Sequence, residues 1–252
     1  MGERSIIGVV AAAGRGTRLA GGYYWSILPK AMLPVAGQPL ICYALQTLEA
    51  LGVSEVYVIL SSNDRITPRF LASNRIGKCS LKVVIQQRPR GLADAVYLLR
   101  NRIHEPFYLV LGDDVTITSG LDRFHTALLR PGVVAVQGVV REAHISRIRE
   151  ACGVDLDTRG RIKRIVEKPS SGNYRYRGIG IYGLSPQIFS RIRQTTRHPS
   201  GELRLTDTLS LLAREGALAG FIVRGRNVNI NTPLDRDQAE LVLLRTRGTT
   251  SS

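Results

Sequence analysis

A short glycine-containing segment near the N-terminus has residue types suited to holding a phosphate group. Residues 14–18 read Gly-Arg-Gly-Thr-Arg and directly follow Ile6–Ala13, a continuous run of small and β-branched residues. The glycines let backbone N–H groups approach an anion, the Thr17 hydroxyl adds a donor, and Arg18 adds a cation suited to bidentate phosphate contact. The segment lacks both the third glycine of a dinucleotide fingerprint and the Gly-Lys-Ser/Thr of a Walker loop. Alone, it predicts either a phosphate-binding turn or a structural loop.

One lysine stands out because arginine supplies most of the positive charge of the chain. Lys30 lies twelve residues beyond Arg18, between Pro29 and Pro34, and is one of only 5 lysines beside 30 arginines. An ammonium group restrained near a phosphate-binding turn would act as a charge clamp on the phosphates. The same segment in isolation would indicate a solvated surface lysine.

Two adjacent carboxylates follow a second apolar run. Asp113 and Asp114 come after Phe107–Leu111, which has the composition of a buried strand. A carboxylate at the carboxyl end of such a strand is a hard oxygen ligand of the kind that Mg²⁺ prefers. It could equally be an ordinary helix cap or turn residue. We take Asp113 as the predicted metal ligand and Asp114 as its rival.

Strand and helix patterns alternate through the first half of the chain, and this order predicts an α/β fold. The helical patterns are Leu40–Leu51, with Gly52 as a C-terminal stop, and Gly91–Arg102. The predicted buried strands are Ile6–Ala13, Val56–Leu60, Leu81–Ile85, Phe107–Leu111 and Val133–Val140. We expect a Rossmann-like, mainly parallel sheet covered by helices on both faces, with ligands beyond the carboxyl ends of its strands.

The second half of the chain mixes strand and helix patterns. Its predicted strands are Gly160–Glu167 and Gly178–Leu184, and its predicted helices are Leu205–Glu215 and Asp235–Leu244. No internal repeat is present. We predict one domain over residues 1–245 with two lobes, about 1–125 and about 126–245, followed by a disordered tail at 246–252.

Composition excludes several classes of protein. The 252 residues are 44% hydrophobic and 22% charged, which is typical of a globular chain and excludes a disordered or fibrous one. The apolar runs fall short of the roughly 18 residues of a membrane-spanning helix, so no membrane association is expected. Arg15 and Arg18 stand where the cleavage region of a signal peptide would be, so we do not expect a secreted protein. Three widely spaced cysteines predict reduced thiols, and we expect a cytoplasmic location.

The net charge of +15 suggests polyanionic partners. No nucleic-acid recognition motif accompanies it, so we do not expect specific nucleic-acid binding. We interpret the charge as a basic surface around a phosphate-handling cleft.

Several segments taken in order resemble the sugar-1-phosphate nucleotidyltransferases, the family that includes glucose-1-phosphate thymidylyltransferase and UTP:glucose-1-phosphate uridylyltransferase. The resemblance covers about residues 6–240. The segments taken together in this order are more specific to the family than any single segment. The segments are Ala11–Leu19, Pro29-Lys30 with Leu33-Pro34-Val35, Gln86–Ala95 (QQRPRGLADA), Leu111–Asp113, Val166–Pro169 and Gly201–Asp207 (GELRLTD). The family implies a nucleotidyltransferase (GT-A-like) fold, with the first lobe facing the nucleotide and the second facing the sugar phosphate.

The resemblance also implies roles for individual residues. Arg18, Lys30 and Asp113 would be catalytic, and Asp113 would hold Mg²⁺. The substrate-binding residues would be Gly153, Glu167 and Lys168, on the sugar phosphate. The nucleotide-binding residues would be Ala12, Ala13, Gly14, Gly16, Thr17, Gln86, Gly91 and Leu92, with Gln86 and Gly91 reading the base.

One position departs from the family pattern. Where thymidylyltransferases and uridylyltransferases carry a second metal-binding Asp, this chain has Asn229 within Val228–Pro233. A neutral carbonyl oxygen can still bind Mg²⁺, but the lost negative charge should weaken binding of the bare metal. We therefore expect Asp113 and Asn229 to hold a Mg²⁺ that arrives mostly with the nucleotide.

The resemblance predicts an Mg²⁺-dependent enzyme that joins a nucleoside triphosphate to a sugar 1-phosphate. Gln86 and Leu92 favour UTP or dTTP, and a homo-oligomer is possible. One alternative is a cytidylyltransferase for phosphocholine or a phosphonate, which would need an aromatic cage, conceivably from Tyr174 and Tyr176. Two others are a catalytically silent nucleotide-binding subunit and a nucleic-acid binder. The base and the sugar stay undetermined at this level.

Overall fold

The computed structural model describes residues 6–14, 28–74 and 76–248. Three predicted site residues, Gly16, Thr17 and Arg18, lie outside the described residues. The other predicted site residues lie inside them.

The described residues form an α/β fold in which most strands belong to one sheet. The strands are β1 (Ile6–Ala12), β2 (Pro34–Val35), β3 (Gln38–Pro39), β4 (Val53–Ser61), β5 (Ser80–Gln86), β6 (Phe107–Leu111), β7 (Asp114–Ser119), β8 (Ala135–Arg141), β9 (Cys152–Leu156), β10 (Ile162–Glu167), β11 (Tyr176–Leu184), β12 (Leu218–Ile222) and β13 (Arg224–Asn229). The α-helices are α1 (Leu40–Ala50), α2 (Thr67–Ser73), α3 (Leu92–Tyr97), α4 (Phe124–Leu128), α5 (Ile145–Glu150), α6 (Ile188–Gln194), α7 (Leu205–Arg214) and α8 (Pro233–Gly248). Single 3-10 turns occur at Lys30–Met32 and Leu121–Arg123.

The central sheet runs in the order β5-β4-β1-β6-β11-β8-β12. β11 is antiparallel to its neighbours, and the other six strands of this run are parallel to one another. The hairpin of β9 and β10 extends the first half of β11, and β13 pairs with β7 as a separate ribbon. The mainly parallel sheet expected from the sequence is confirmed.

Alternate residues of the central strands face two different cores, as expected for a sheet covered on both faces. Val9 of β1 faces one core with helices α3, α6 and α7, and Val10 faces the other with α1, α2 and α4. Leu109 and Val110 of β6 divide in the same way. These cores hold the parallel strands in register, so their carboxyl ends form a fixed edge.

A third, smaller core lies beside that edge. It joins Val35, Leu40 and Tyr43 to Val115 of β7, Ile230 after β13, and Ala239 and Leu243 of α8. Val115 follows Asp114 directly, and Ile230 follows Asn229 directly. This core therefore fixes the backbone that carries the polar residues of the candidate site.

Two predicted elements have different ends in the structure. The predicted helix Gly91–Arg102 is shorter, because α3 ends at Tyr97 and residues 98–102 continue as turns with bonds between residues three apart, such as Leu98 N to Ala95 O. The predicted tail begins too early, since α8 continues to Gly248. Within this extension the Thr246 hydroxyl donates to the Val242 carbonyl, which supports helix at that point. Residues 249–252 lie outside the described residues.

No helix in the described ranges is long and apolar enough to span a membrane. Cys42, Cys79 and Cys152 are free thiols. Burial raises the pKa of Cys152 to about 12. The division into two lobes at about residue 125 stays a prediction.

Candidate active site

The candidate site lies at the carboxyl edge of the parallel strands. In the sheet register, Ala11 of β1 pairs with Leu111 of β6, and Ser61 of β4 pairs with Gln86 of β5. The Gly112 N–H donates to the Ala11 carbonyl at 2.9 Å, and a side chain at Gly112 would lie 2.8 Å from the Ala12 Cβ. Close contact between the two strand ends thus brings Ala12, Ala13 and Gly14 beside Asp113.

Lys30 and Asp113 meet at this edge as an ion pair. Lys30 Nζ lies 2.6 Å from Asp113 Oδ2, and the side chains are 13% and 31% exposed. The residues are 83 positions apart in the chain, so tertiary structure alone brings them together. Lys30 is held in place because the neighbouring Ala31 and Leu33 are buried. The structure thus restrains Lys30 beside Asp113, whereas its predicted position near the glycine turn stays a prediction, because residues 15–18 lie outside the described residues.

A chain of side-chain hydrogen bonds leads from Lys30 into the protein. Lys30 Nζ donates to Asn231 Oδ1 at 3.2 Å, Asn231 Nδ2 donates to Asn229 Oδ1, and Asn229 Nδ2 donates to Asp114 Oδ1. An ammonium group can only donate and an ionised carboxylate can only accept, so the two ends fix the orientation of both amides. Asn229 therefore directs its carbonyl oxygen away from Asp114.

Asp114 is the buried anchor of this chain, and Asp113 is the exposed member of the pair. Only 3% of Asp114 is exposed. Its carboxylate accepts hydrogen bonds from Gly180 N at 2.7 Å, Asn227 Nδ2 at 3.2 Å and Asn229 Nδ2. Burial, and secondarily the charge of Asp113, raises the pKa of Asp114. Asp114 thus has a structural role, and Asp113 is the carboxylate left accessible at the edge.

Asn231 is positioned by the start of the last helix. Thr232 and Asp235 form a capping box, in which Asp235 N donates to Thr232 Oγ1 at 3.2 Å and Thr232 N donates to Asp235 Oδ2 at 2.7 Å. Pro233 occupies the first helical position, where its missing N–H has no cost. Asp235 Oδ2 also accepts from Asn231 N at 2.9 Å. The cap of α8 therefore fixes the backbone of a residue that contacts Lys30.

The amide of Gln86 has one defined orientation. Gln86 is only 5% exposed, and its Nε2 donates to the Gly91 carbonyl at 3.3 Å and to Asp94 Oδ2 at 3.1 Å. Arg197 approaches the other oxygen of Asp94 at 3.5 Å. Both partners of Nε2 are acceptors, so Gln86 Oε1 is the atom left to accept a hydrogen bond. It receives none from the described part of the chain.

The turn that contains Gly91 is clamped by a distant segment. Leu203 N donates to the Arg90 carbonyl at 2.7 Å, and Ala93 N donates to the Leu203 carbonyl at 3.0 Å. Gly91 has a φ of +103°, and a Cβ there would lie 2.4 Å from the Leu203 oxygen. Only glycine fits this position. Leu92, which follows, is partly buried against the core.

The same segment reaches the predicted sugar-phosphate residues. Thr206 Oγ1 donates to Glu167 Oε2 at 2.7 Å, only three residues after Leu203. Glu167 pairs with Cys152 across the β9–β10 hairpin, and Lys168 N donates to the Ala151 carbonyl at 2.7 Å. Residues 203–206 thus join the Gln86–Gly91 region to the Glu167–Lys168 region.

Gly153 has a packing role that the sequence did not predict. A Cβ at Gly153 would lie 2.6 Å from the ring of Tyr174. Tyr174 is only 8% exposed, and the guanidinium of Arg164 stacks 4.6 Å from its ring centroid. The ring is therefore enclosed between Gly153 and Arg164.

Two atoms at the edge suit a hard cation. Asp113 Oδ1 carries no hydrogen bond from the described residues, and the carbonyl oxygen of Asn229 retains a lone pair beyond the bond from Asn231. Ile230 N donates to the Asp113 carbonyl at 2.9 Å, which holds the two segments together. The described residues contain no group of three acidic, His or Cys side chains that could enclose a metal. Such a site fits Mg²⁺ shared with substrate phosphates, because Mg²⁺ commonly takes one or two protein oxygens and keeps several waters.

Sequence reasoning missed several residues of the site. Asn227 and Asn231 were not predicted, although they flank the predicted Asn229 at a spacing of two, alternating with Val228 and Ile230. That period of two was a readable signal of side chains on the same side of an extended backbone. The support from Leu203 and Thr206 carried no such local signal, because it depends on long-range packing.

Replacing Gly91 with alanine is expected to destabilise the protein more than replacing Gly52. Both glycines have positive φ, but the space at Gly52 is open, whereas the Leu203 backbone fills the space at Gly91. Gly52→Ala should lower the free energy of unfolding by about 1 kcal/mol, and Gly91→Ala by roughly 2 kcal/mol more. Urea unfolding measures both values, and equal losses would contradict the clamp.

Comparison with known proteins places the chain among nucleotidyltransferases. A low-salt glycan biosynthesis nucleotidyltransferase of Haloferax volcanii is 28% identical, over 97% of this chain and 69% of the relative. A UTP–glucose-1-phosphate uridylyltransferase of the same organism is 27% identical, over 92% and 94% of the two chains. The fold matches that of a UDP-glucose pyrophosphorylase solved with UDP-glucose, with a TM-score of 0.83, 22% identity and coverage of 96% and 100%. Residues 7–227 match the nucleotidyl transferase family, and the chain belongs to that family.

Proposed function

We propose that this protein transfers a nucleotidyl group from UTP or dTTP to a sugar 1-phosphate and releases pyrophosphate. The observation that carries the proposal is the Lys30–Asp113 ion pair at the carboxyl edge, beside the strand that leads into the glycine turn. The similarity to a UTP–glucose-1-phosphate uridylyltransferase supports it.

In this reaction an oxygen of the sugar phosphate attacks the α-phosphorus of the triphosphate. The bond from the α-phosphorus to its bridging oxygen breaks, and pyrophosphate leaves with that electron pair. No covalent nucleophile is needed, so the protein contributes positioning and charge neutralisation. Gly14, Gly16 and Thr17 would bind the triphosphate, and Arg18 and Lys30 would stabilise charge on the α-phosphoryl group and the leaving pyrophosphate.

Asp113 and Asn229 are the residues we propose to hold Mg²⁺. A bound Mg²⁺ would neutralise charge on the phosphates. Lys30 Nζ donates a hydrogen bond to Asp113 Oδ2 in the structure. Once a bound cation balances the charge of Asp113, the Lys30 ammonium would turn to the phosphates. The ion pair would thus keep both groups at the edge before substrate binds.

The sugar phosphate would bind at the side of this edge that carries Glu167 and Lys168. We assign the Glu167 carboxylate to a sugar hydroxyl and the Lys168 ammonium to the acceptor phosphate, with the Gly153 backbone close to the sugar. Thr206 orients Glu167 by donating to one of its two oxygens, which leaves the other oxygen to accept from a hydroxyl.

The fixed amide of Gln86 supports a uracil or thymine base. Gln86 Oε1 is an acceptor, and N3 of uracil and thymine carries a hydrogen that can be donated to it. N3 of cytosine is itself an acceptor, so CTP would place two acceptors opposite each other. The methyl group that separates thymine from uracil lies away from N3, and this contact does not discriminate between UTP and dTTP.

The phosphocholine alternative loses its main support. It requires exposed aromatic faces around the quaternary ammonium. Tyr174 is instead buried against Gly153 and covered by Arg164.

Three free thiols are consistent with the cytoplasmic location that we propose. Assembly into a homo-oligomer stays a prediction.

Pyrophosphate release, measured with Mg²⁺ across five nucleoside triphosphates and a panel of hexose 1-phosphates and phosphocholine, tests the proposal. We expect turnover with UTP or dTTP and one sugar phosphate. Lys30→Ala should lower kcat by about 10³ or more, since it removes a charge that stabilises the transition state. Lys78→Ala, at an exposed lysine remote from the edge, is the matched control. No turnover with any pair by folded protein would contradict the proposal.

Base selection gives a second, finer test. The wild-type chain should prefer UTP over CTP by about a hundredfold or more in kcat/KM. Asp94→Asn should reduce this ratio by about tenfold, because an amide at 94 can accept from or donate to Gln86, and only the longer bond to the Gly91 carbonyl then favours the orientation. Asp122→Asn, at an exposed carboxylate elsewhere, should leave the ratio unchanged. A ratio unaffected by Asp94→Asn would refute the role of the fixed amide.

A further inference from the structure

A cavity lies apart from the residues that we assign to catalysis. Its volume is about 390 Å³, and it is an open cavity lined by the ends of β8 and β11, by β13, by α5 and by α8. Small-molecule sites occupy about 300–1,000 Å³, so the cavity is large enough for a compact ligand. Its charged lining residues are Arg141, Glu142, Arg147, Arg177, Arg226 and Arg245. We call this cavity the arginine pocket.

The lining of the arginine pocket has far more positive than negative charge. Five guanidinium groups converge there with one carboxylate, that of Glu142. Glu142 is already shared, because its Oε2 lies 3.6 Å from Arg177 Nε and 4.0 Å from Arg147 NH1. Arg141 and Arg226 form no ion pair or side-chain hydrogen bond with the described residues. Like charges at this density repel one another unless an anion lies between them.

Arg177 adds a fixed, buried positive charge to the lining of the pocket. Only 7% of Arg177 is exposed, and its two terminal nitrogens donate to Asn227 Oδ1 at 3.0 Å and to the Asn227 carbonyl at 3.2 Å. Its Nε lies 3.6 Å from the Glu142 carboxylate, beyond hydrogen-bond distance. Arg177 therefore contributes charge to the pocket, and the exposed guanidinium groups of Arg141 and Arg226 are the donors that a phosphate can reach.

The lining of the pocket also has an apolar part. Val140, Val228, Leu241 and Val242 contribute aliphatic side chains, and Gln238 adds an amide. A lining that combines arginines with aliphatic side chains suits a ligand that carries an organic part as well as a phosphate.

We propose that the arginine pocket binds a small phosphate-bearing molecule through the guanidinium groups of Arg141 and Arg226, beside the fixed charge of Arg177. This site is separate from the catalytic edge, although Asn227 contacts both Arg177 and Asp114. The binding assignment does not depend on the proposed nucleotidyl transfer. It also gives a role to part of the +15 net charge, which a single catalytic site does not require.

Isothermal titration calorimetry of the full chain with ribose 5-phosphate and with inorganic phosphate, at about 0.15 M salt, tests this proposal. Neither probe is a substrate or product of the proposed reaction. Binding should weaken by about tenfold or more in Arg141→Gln/Arg226→Gln, which removes two exposed guanidinium groups from the pocket. Tighter binding of ribose 5-phosphate would identify an organic phosphate as the ligand class, and equal binding would identify phosphate itself.

The matched control is Arg69→Gln/Arg193→Gln, which removes the same charge from exposed positions on α2 and α6. This control should bind both probes as the wild type does. No binding of either probe below about 10 mM, or equal weakening in the two double variants, would overturn the proposal. Turnover with UTP is expected in both double variants, so a failed pocket and a failed catalytic assignment are distinguishable.

Discussion

The candidate site depends on the burial of one carboxylate. Asp114 is almost fully removed from solvent, which for an isolated charge would cost on the order of several kcal/mol. Three hydrogen-bond donors offset that cost, one from Gly180 of β11 and two from Asn227 and Asn229 of β13. Because the carboxylate can only accept, it fixes the Asn229 amide, which fixes Asn231, which in turn accepts from Lys30. The orientation of Lys30, the lysine that we propose to be catalytic, is thus set from inside the protein.

The fold supplies what this chain of contacts requires. Parallel strands with both faces buried place β1 and β6 side by side, so the residues that follow the two strands, Ala13 and Gly14 after β1 and Asp113 after β6, leave the sheet at one edge. The small third core holds Val115 and Ile230, and their polar neighbours in the chain face the site. Residues 203–206 connect the two substrate regions, through Leu203 at Gly91 and Thr206 at Glu167. Tertiary packing, rather than local sequence, sets the distances between the polar groups of the candidate site.

Much of the fold could be predicted from the sequence, because buried parallel strands are runs of small and β-branched residues with glycine at their ends. Lys30, Asp113 and Gln86 could also be predicted, since their motifs are local. The different roles of Asp113 and Asp114 could not, because adjacent carboxylates differ only in the side of the backbone on which they lie. The clamp at Gly91 and the orientation of Gln86 by Asp94 depend on tertiary contacts. The extension of α8 to Gly248 was missed because its final turn is polar and lacks a hydrophobic pattern.

The most direct test of this account is the Mg²⁺ dependence of turnover in Asp114→Asn, measured per folded molecule. The introduced amide can still accept from Gly180 but would turn a donor toward Asn229 Nδ2, so Asn229 must reverse and withdraw its carbonyl oxygen. We expect kcat/KM to fall by about a hundredfold and half-saturation to need more Mg²⁺. Asp64→Asn, at a buried carboxylate that caps α2, should leave both values unchanged. Wild-type turnover and Mg²⁺ dependence in folded Asp114→Asn would contradict the account.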